Sequence, residues 1–236
     1  MTPRCSILLF LSALSALAQP RFEAASAKPA GAAIHAGRRI WETPGRIHYT
    51  AVSLRELILH AYRRKDYQVQ TPAWMDAEGF DIDATFPPES QSQIPEMLQT
   101  LLTERFRLQI HTFERPTKSL ALRVRPGGSG VLKPVTEPGK GGMAFSREEI
   151  RGILATMENF ADGLSPILGT PVVDQTGLPG RYTFDLKVPS PPDPSGRYDS
   201  SAIISSLKDI GLTVVSTTVT QQYLTADSAE HVPTAN

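Results

Sequence analysis

Apolar and polar residues follow two different rhythms along this chain, and the switches between them mark the elements. Around Arg46-Ile-His-Tyr-Thr-Ala51 the period is two, which predicts a strand with one buried face. From Leu54 it changes: Leu54, Leu57, Ile58, Ala61 and Tyr62 recur at three-and-four spacing, with Arg55, Glu56 and Arg63 opposite them. That pattern predicts an amphipathic helix whose polar face is free. Ser53-Leu-Arg-Glu56 reads as its capping box, the serine taking an orphan backbone N–H and Glu56 reaching back. Asp66-Tyr-Gln-Val69 follows as a second strand.

The same order returns. Glu149 to Ala155 predicts a strand, Thr156 an N-cap, and Phe160, Leu164, Ile167 and Leu168 an apolar helix face. Gly169 then stops the helix before the strand Pro171-Val-Val173. A third, partial copy has Asp199 as cap, Ile203, Leu207 and Ile210 inward, Gly211 as stop and Leu212-Thr-Val-Val215 as strand. Pro95 to Phe106 predicts a further helix with Met97, Leu98, Leu101, Leu102 and Phe106 inward and Pro95 in its first turn. Arg107 to Glu114 and Lys118 to Arg125 alternate on either side of Pro116, the pattern of an antiparallel hairpin. The expected fold class is α+β: repeated βαβ-like units with an antiparallel hairpin, helices packed on mixed sheets.

Composition divides this pattern into lobes. The Gly/Pro-rich stretch 126–142 reads as a connector between an N-terminal α+β lobe, 19–125, and a C-terminal one, 143–228. Residues 189–196 read as a second flexible connector, and 229–236, which lacks any period, as a tail trailing on the surface.

The first 18 residues change the picture again. Arg4 followed by the apolar run Ile7 to Ala18, with small residues at Ala16 and Ala18, predicts a signal peptide cleaved after Ala18. The run ends at Gln19-Pro20-Arg21, short of the roughly 20 apolar residues that a membrane span needs. The expected protein is therefore exported, periplasmic or extracellular, with no membrane span in the mature chain. Cys5, the only cysteine, leaves with the signal, so disulfides, thiol chemistry and Cys-ligated zinc are excluded from the mature chain. The whole chain carries 24 Lys+Arg against 24 Asp+Glu, and loss of Arg4 leaves the mature charge at −1. Such a balance lacks the broad positive field of a nucleic-acid binder, so no nucleic acid is expected.

Strings in order along the chain carry a family resemblance: Phe22-Glu-Ala-Ala-Ser-Ala-Lys-Pro29, Val52-Ser-Leu-Arg-Glu-Leu57, Ala61-Tyr62, Tyr67-Gln-Val69 and Pro72-Ala-Trp74. Glu104-Arg-Phe-Arg-Leu108 with His111, Val172-Val-Asp174, Thr176-Gly-Leu178, Gly180-Arg-Tyr182 and Pro233-Thr234 with Asn236 continue them. The chain resembles the acidobacterial soil-associated family of secreted proteins of unknown function. The resemblance implies an exported protein, sometimes the outer part of larger sensor-like proteins, with no assigned chemistry. The strand-helix-strand copies also look like the short signalling domains of TonB-dependent receptors and secretins. Arg63-Arg64-Lys65 and Gly127-Gly-Ser-Gly130 depart from the family pattern.

Recognised catalytic patterns are absent from the sequence. The histidines His35, His48, His60, His111 and His231 include no pair four apart and no His-Glu-x-x-His. Gly128-Ser-Gly130 has no strand leading into it, Gly139-Lys-Gly-Gly142 is no phosphate loop, and Asp174-Gln-Thr-Gly177 reads as a turn. No cofactor and no metal are expected. Four residues are candidate contacts: Trp41, Tyr67 and Trp74, whose flat faces suit a sugar, and His111, in a predicted strand with Glu114 three residues on. The expected function is a non-enzymatic binding, interaction or sensor-like module. Its partner is an unknown protein or small ligand, in the cell envelope, met along an exposed strand edge or the groove beside it. The alternatives are a hydrolase pairing Glu104 or Asp174 with His111, and a glycan-binding protein using Trp41 and Trp74 on one face.

Overall fold

The computed structural model describes residues 19–31, 37–128, 130–139, 141–146, 148–188, 193 and 198–234. The expected signal peptide and its expected cleavage point, Cys5, His35, Ser129, most of the 189–196 stretch and the last two residues of the tail lie outside the described residues.

The chain starts with β1 (Ala24–Pro29), β2 (Arg39–Thr43), β3 (Arg46–Ser53), α1 (Leu54–Ala61), β4 (Val69–Gln70), α2 (Trp74–Ala77), β5 (Gly79–Thr85) and α3 (Ile94–Phe106). A long strand, β6 (Gln109–Val124), leads to β7 (Pro134–Val135), β8 (Gly142–Phe145), β9 (Glu149–Ala155), α4 (Met157–Leu168), β10 (Val172–Asp174), β11 (Arg181–Lys187) and α5 (Ser200–Ser206). A second long strand, β12 (Leu212–Ser228), follows. Two compact units result: residues up to Thr112 together with those from Tyr223 onward, and Phe113–Gln222. The division thus falls within β6 and β12, and the residues from Tyr223 belong with the first unit.

The fold is α+β, and each unit repeats one plan. The first holds an antiparallel sheet in the order β1-β5-β3-β2, the second one in the order β7-β11-β9-β8. In both, the strand before the first helix ends in a capping box. Ser53 accepts the Glu56 N–H and Glu56 accepts the Ser53 N–H; Thr156 and Asn159 do the same. Gly169 and Gly211 stop their helices at positive φ, 62° and 78°, where a Cβ is penalised.

The alternation of β3 buries Ile47 and Tyr49, which join Phe80 and Ile82 of β5, Leu54, Leu57 and Ile58 of α1, and Leu98, Leu102 and Phe106 of α3 in one core. The second unit buries Ile150, Phe160, Leu164, Tyr182, Leu186, Ile203 and Leu207 in the same way. Leu57 and Phe160 are 1% and 0% exposed, at matching places on α1 and α4.

Four expectations are corrected. The strands flanking each helix do not share a sheet: β3 is already paired on both sides, by β2 and β5, and β9 by β8 and β11. The short strands after the helices therefore pair in parallel with a long strand instead, β4 with β12 at Val69↔Leu224 and β10 with β6 at Val172↔Leu120. The hairpin about Pro116 is a single strand, because β12 runs beside β6 and supplies the pairing that a second hairpin arm would have given. The tail is docked: Glu230 N–H donates to the Phe106 carbonyl, and Thr234 donates through N–H and Oγ1 to Arg105 and Glu104. These are carbonyls that the end of α3 leaves without helical donors.

Finally, Arg55 is not free. It donates to the Asp66 carbonyl at 2.7 Å, the Val69 carbonyl at 2.9 Å, Thr71 Oγ1 at 3.2 Å and the Asp66 carboxylate at 2.9 Å, tying α1 to the segment that follows it.

Candidate functional site

The outer face of sheet β1-β5-β3-β2 collects polar side chains and one indole. With Ile47 and Tyr49 pointing to the core, the pleat turns Arg46, His48 and Thr50 outward. Pairing register aligns them with neighbours: Trp41 lies opposite His48, His48 opposite Asp83, Arg39 opposite Thr50 and Thr43 opposite Arg46. Because β2 is an edge strand, Trp41 has a strand on one side only, and it is 66% exposed.

Two hollows flank this indole. One, of about 410 Å³, is lined by Trp41, Thr43, Arg46 and His48. The other, of about 500 Å³, is lined by Gly37, Arg39, Ile40, Trp41, His48 and Thr50. Trp41 and His48 thus form a rib, with one arginine in the hollow on either side.

A hydrogen-bond row runs beneath the rib. His48 Nδ1 stands 2.7 Å from Asp83 Oδ1, and Arg46 donates to the same oxygen at 3.2 Å. The His48 hydrogen bond holds the Asp83 carboxyl below its ordinary pKa against an opposing effect of burial, and Arg46 adds to the lowering. An ionised carboxylate only accepts, so the His48 proton sits on Nδ1. Nε2 then faces Thr50 Oγ1 at 3.2 Å, as acceptor of the hydroxyl in the neutral ring. Hydroxyl, imidazole and carboxylate stand in sequence across two strands.

On the core side of β2 lies a different group. The Tyr49 hydroxyl donates to Glu42 and stands 3.4 Å from His60 Nδ1. Burial, then the Glu42 carboxylate, push the Tyr49 phenol far above the tyrosine range, so it stays a donor.

The four expected contact residues are not brought together. Trp41 looks out from the sheet. Trp74 packs half-buried against the core, its ring 3.8 Å from that of His231, which bonds Glu78 at 2.9 Å. Tyr67 is half-buried in the short helical turn after α1. His111 pairs with Asp227 at 2.8 Å. Glu104 pairs with Arg21 at 2.8 Å, and Asp174 accepts the Thr176 N–H at 2.8 Å inside its own turn, where Gly177 and Gly180 take positive φ. Neither carboxylate meets His111 in these bonds.

Sequence reasoning missed Arg39, Arg46, His48, Thr50 and Asp83 as a group. The alternation Arg46-x-His48-x-Thr50 signals a common face, but the partners on β2 and β5 follow from register alone. Among the described residues no group of three or more His, Cys, Asp or Glu is placed to hold a metal, and no helix is long and apolar enough to cross a membrane.

The chain belongs to the family described as protein of unknown function DUF3738, whose model matches residues 55–229. No curated protein and no solved structure matches it.

Proposed function

We propose that the protein is an exported binding module that holds a saccharide on the outer face of sheet β1-β5-β3-β2, one sugar ring stacked on Trp41. The observation that carries this reading is Trp41 itself, a large indole exposed on an edge strand between two hollows. A flat aromatic face suits the apolar face of a sugar, and Thr43, Thr50 and the arginines around it supply donors and acceptors for hydroxyls. Export rests on the signal-like residues 1–18, and N-terminal sequencing of the secreted product beginning at Gln19 supports it. A product beginning at Met1 removes it.

The binding test is direct, because the chain has only two tryptophans. Titration of soluble oligosaccharides against a Trp74→Phe protein reports Trp41 fluorescence alone. Saturable change that disappears in Trp41→Ala supports the reading; none with any saccharide ends it.

A second reading, hydrolysis, is favoured by one observation: the Thr50–His48–Asp83 row has the order of nucleophile, base and orienting carboxylate. Covalent labelling by a fluorophosphonate probe, mapped to Thr50 and lost in His48→Ala, supports it. Absence of labelling at Thr50 removes it.

A further inference from the structure

We infer that the saccharide on Trp41 is acidic, and long enough to engage Arg39 and Arg46 together. The inference rests on the stacking reading above and adds the chemistry of the ligand. Arg39 and Arg46 stand at opposite ends of the rib, Arg39 beside Thr50 and Arg46 beside Thr43. Those positions lie four residue steps apart along β2, on the order of 13 Å of strand. Trp41 lies midway, so a chain stacked on it places its neighbouring rings towards one arginine on each side.

The charges of the two hollows point one way. Among the described residues, each is lined by one arginine and neither by an aspartate or glutamate. Of the carboxylates beside them, Asp83 is already taken by His48 and Arg46, Asp81 accepts the Ala51 N–H, and Glu42, next to Trp41 in sequence, bonds Tyr49 on the opposite face of the sheet. Arg39 is paired with Thr50 through the strand backbone, and its guanidinium has no hydrogen-bond or ion-pair partner among the described residues. Arg46 gives Nη2 to Asp83, and its other two nitrogens keep their hydrogens for a ligand. Guanidinium groups with free N–H pairs match carboxylates in a forked geometry that neutral hydroxyls do not reproduce. A uronate-bearing oligosaccharide supplies carboxylates on rings to either side of the stacked one.

The test compares a galacturonate hexamer, galacturonate monomer and a neutral glucose hexamer, each titrated into the Trp74→Phe protein by Trp41 fluorescence and calorimetry. The acidic hexamer is expected to bind more tightly than the neutral one and to weaken as salt rises, because exposed charge pairs are screened. Arg39→Ala and Arg46→Ala are each expected to weaken the acidic hexamer roughly fivefold more than the neutral one, the upper end of what one exposed ion pair contributes. The monomer, too short to reach both, is expected to respond to no more than one of the two substitutions. Equal affinity for acidic and neutral hexamers overturns the inference while stacking on Trp41 stands. Tighter binding of the acid that is indifferent to either arginine overturns the two-point contact. Binding of neither hexamer overturns both readings.

Discussion

Ala51 and Leu154 share a left-handed backbone, φ 50° and 47°, each three residues ahead of the first residue of a capped helix. Both lie where strand register shifts, in β3 against β5 and in β9 against β11. In each case the displaced N–H donates to a side chain of the paired strand, Ala51 to Asp81 Oδ1 at 2.9 Å and Leu154 to Thr183 Oγ1 at 3.2 Å. An L-residue in this conformation costs about 1–2 kcal/mol, so the acceptor across the sheet helps to hold it. The two halves of the chain thus repeat a backbone device with different residues.

Asp81→Ala is therefore expected to destabilise the protein by about 1–3 kcal/mol, since the buried Ala51 N–H loses its acceptor. Asp81→Asn keeps an Oδ1 acceptor and is expected to lose less than half of that in urea unfolding. Equal losses for the two variants would show that charge, and not acceptance, holds the bulge.

Arg55→Ala is expected to cost about 2 kcal/mol, chiefly through two backbone carbonyls left without their charged donor. The ion pair with Asp66 contributes little, because Asp66 is 82% exposed. Glu158, the exposed counterpart region on α4, is expected to tolerate Ala within about 0.5 kcal/mol. Leu57→Ala and Phe160→Ala, deep in the two cores, set the upper mark at roughly 2–5 kcal/mol. Chemical denaturation that ranks Arg55→Ala with Glu158→Ala contradicts the staple.

Deleting residues from Ala229 onward is expected to lower the melting temperature and shift Trp74 emission to the red. The deletion removes the donors to Phe106, Arg105 and Glu104 and uncovers the indole face that His231 stacks on. In a Trp41→Phe background the emission is that of Trp74 alone. Unchanged emission and melting would mean that the tail does not hold its place.

Asp83 makes a pH-dependent contribution of predictable sign. Its folded pKa is lowered, so the stability it adds is fully present above the ordinary carboxylate value near ~3.9 and lost as pH falls through the lower folded value. The effect is small, because the Asp83 side chain is 38% exposed and its pairs are screened. Carbon-detected NMR titration is expected to place the Asp83 midpoint below that of the unfolded chain, and His48→Ala to move it upward.

Much of the fold was legible because it is local. Ser53, Thr156 and Asp199 were readable as caps, Gly169 and Gly211 as stops, and Leu57 and Phe160 as inward, since caps, stops and helix phase depend on residues within a turn or two of each other. What tertiary structure decided is pairing. Strand alternation says which side chains share a face but not which strand lies alongside. That is why the hairpin about Pro116 proved to be one strand beside β12, and why β4 and β10 left the sheets of β3 and β9. Arg55 was readable as polar and therefore assigned to solvent, although the carbonyls it binds lie more than ten residues away. The candidate site has the same origin. Trp41 was visible as a lone aromatic, but its company of Arg39, His48, Thr50, Arg46 and Asp83 exists only in the register of three strands, a property of long-range hydrogen bonding that no local pattern specifies.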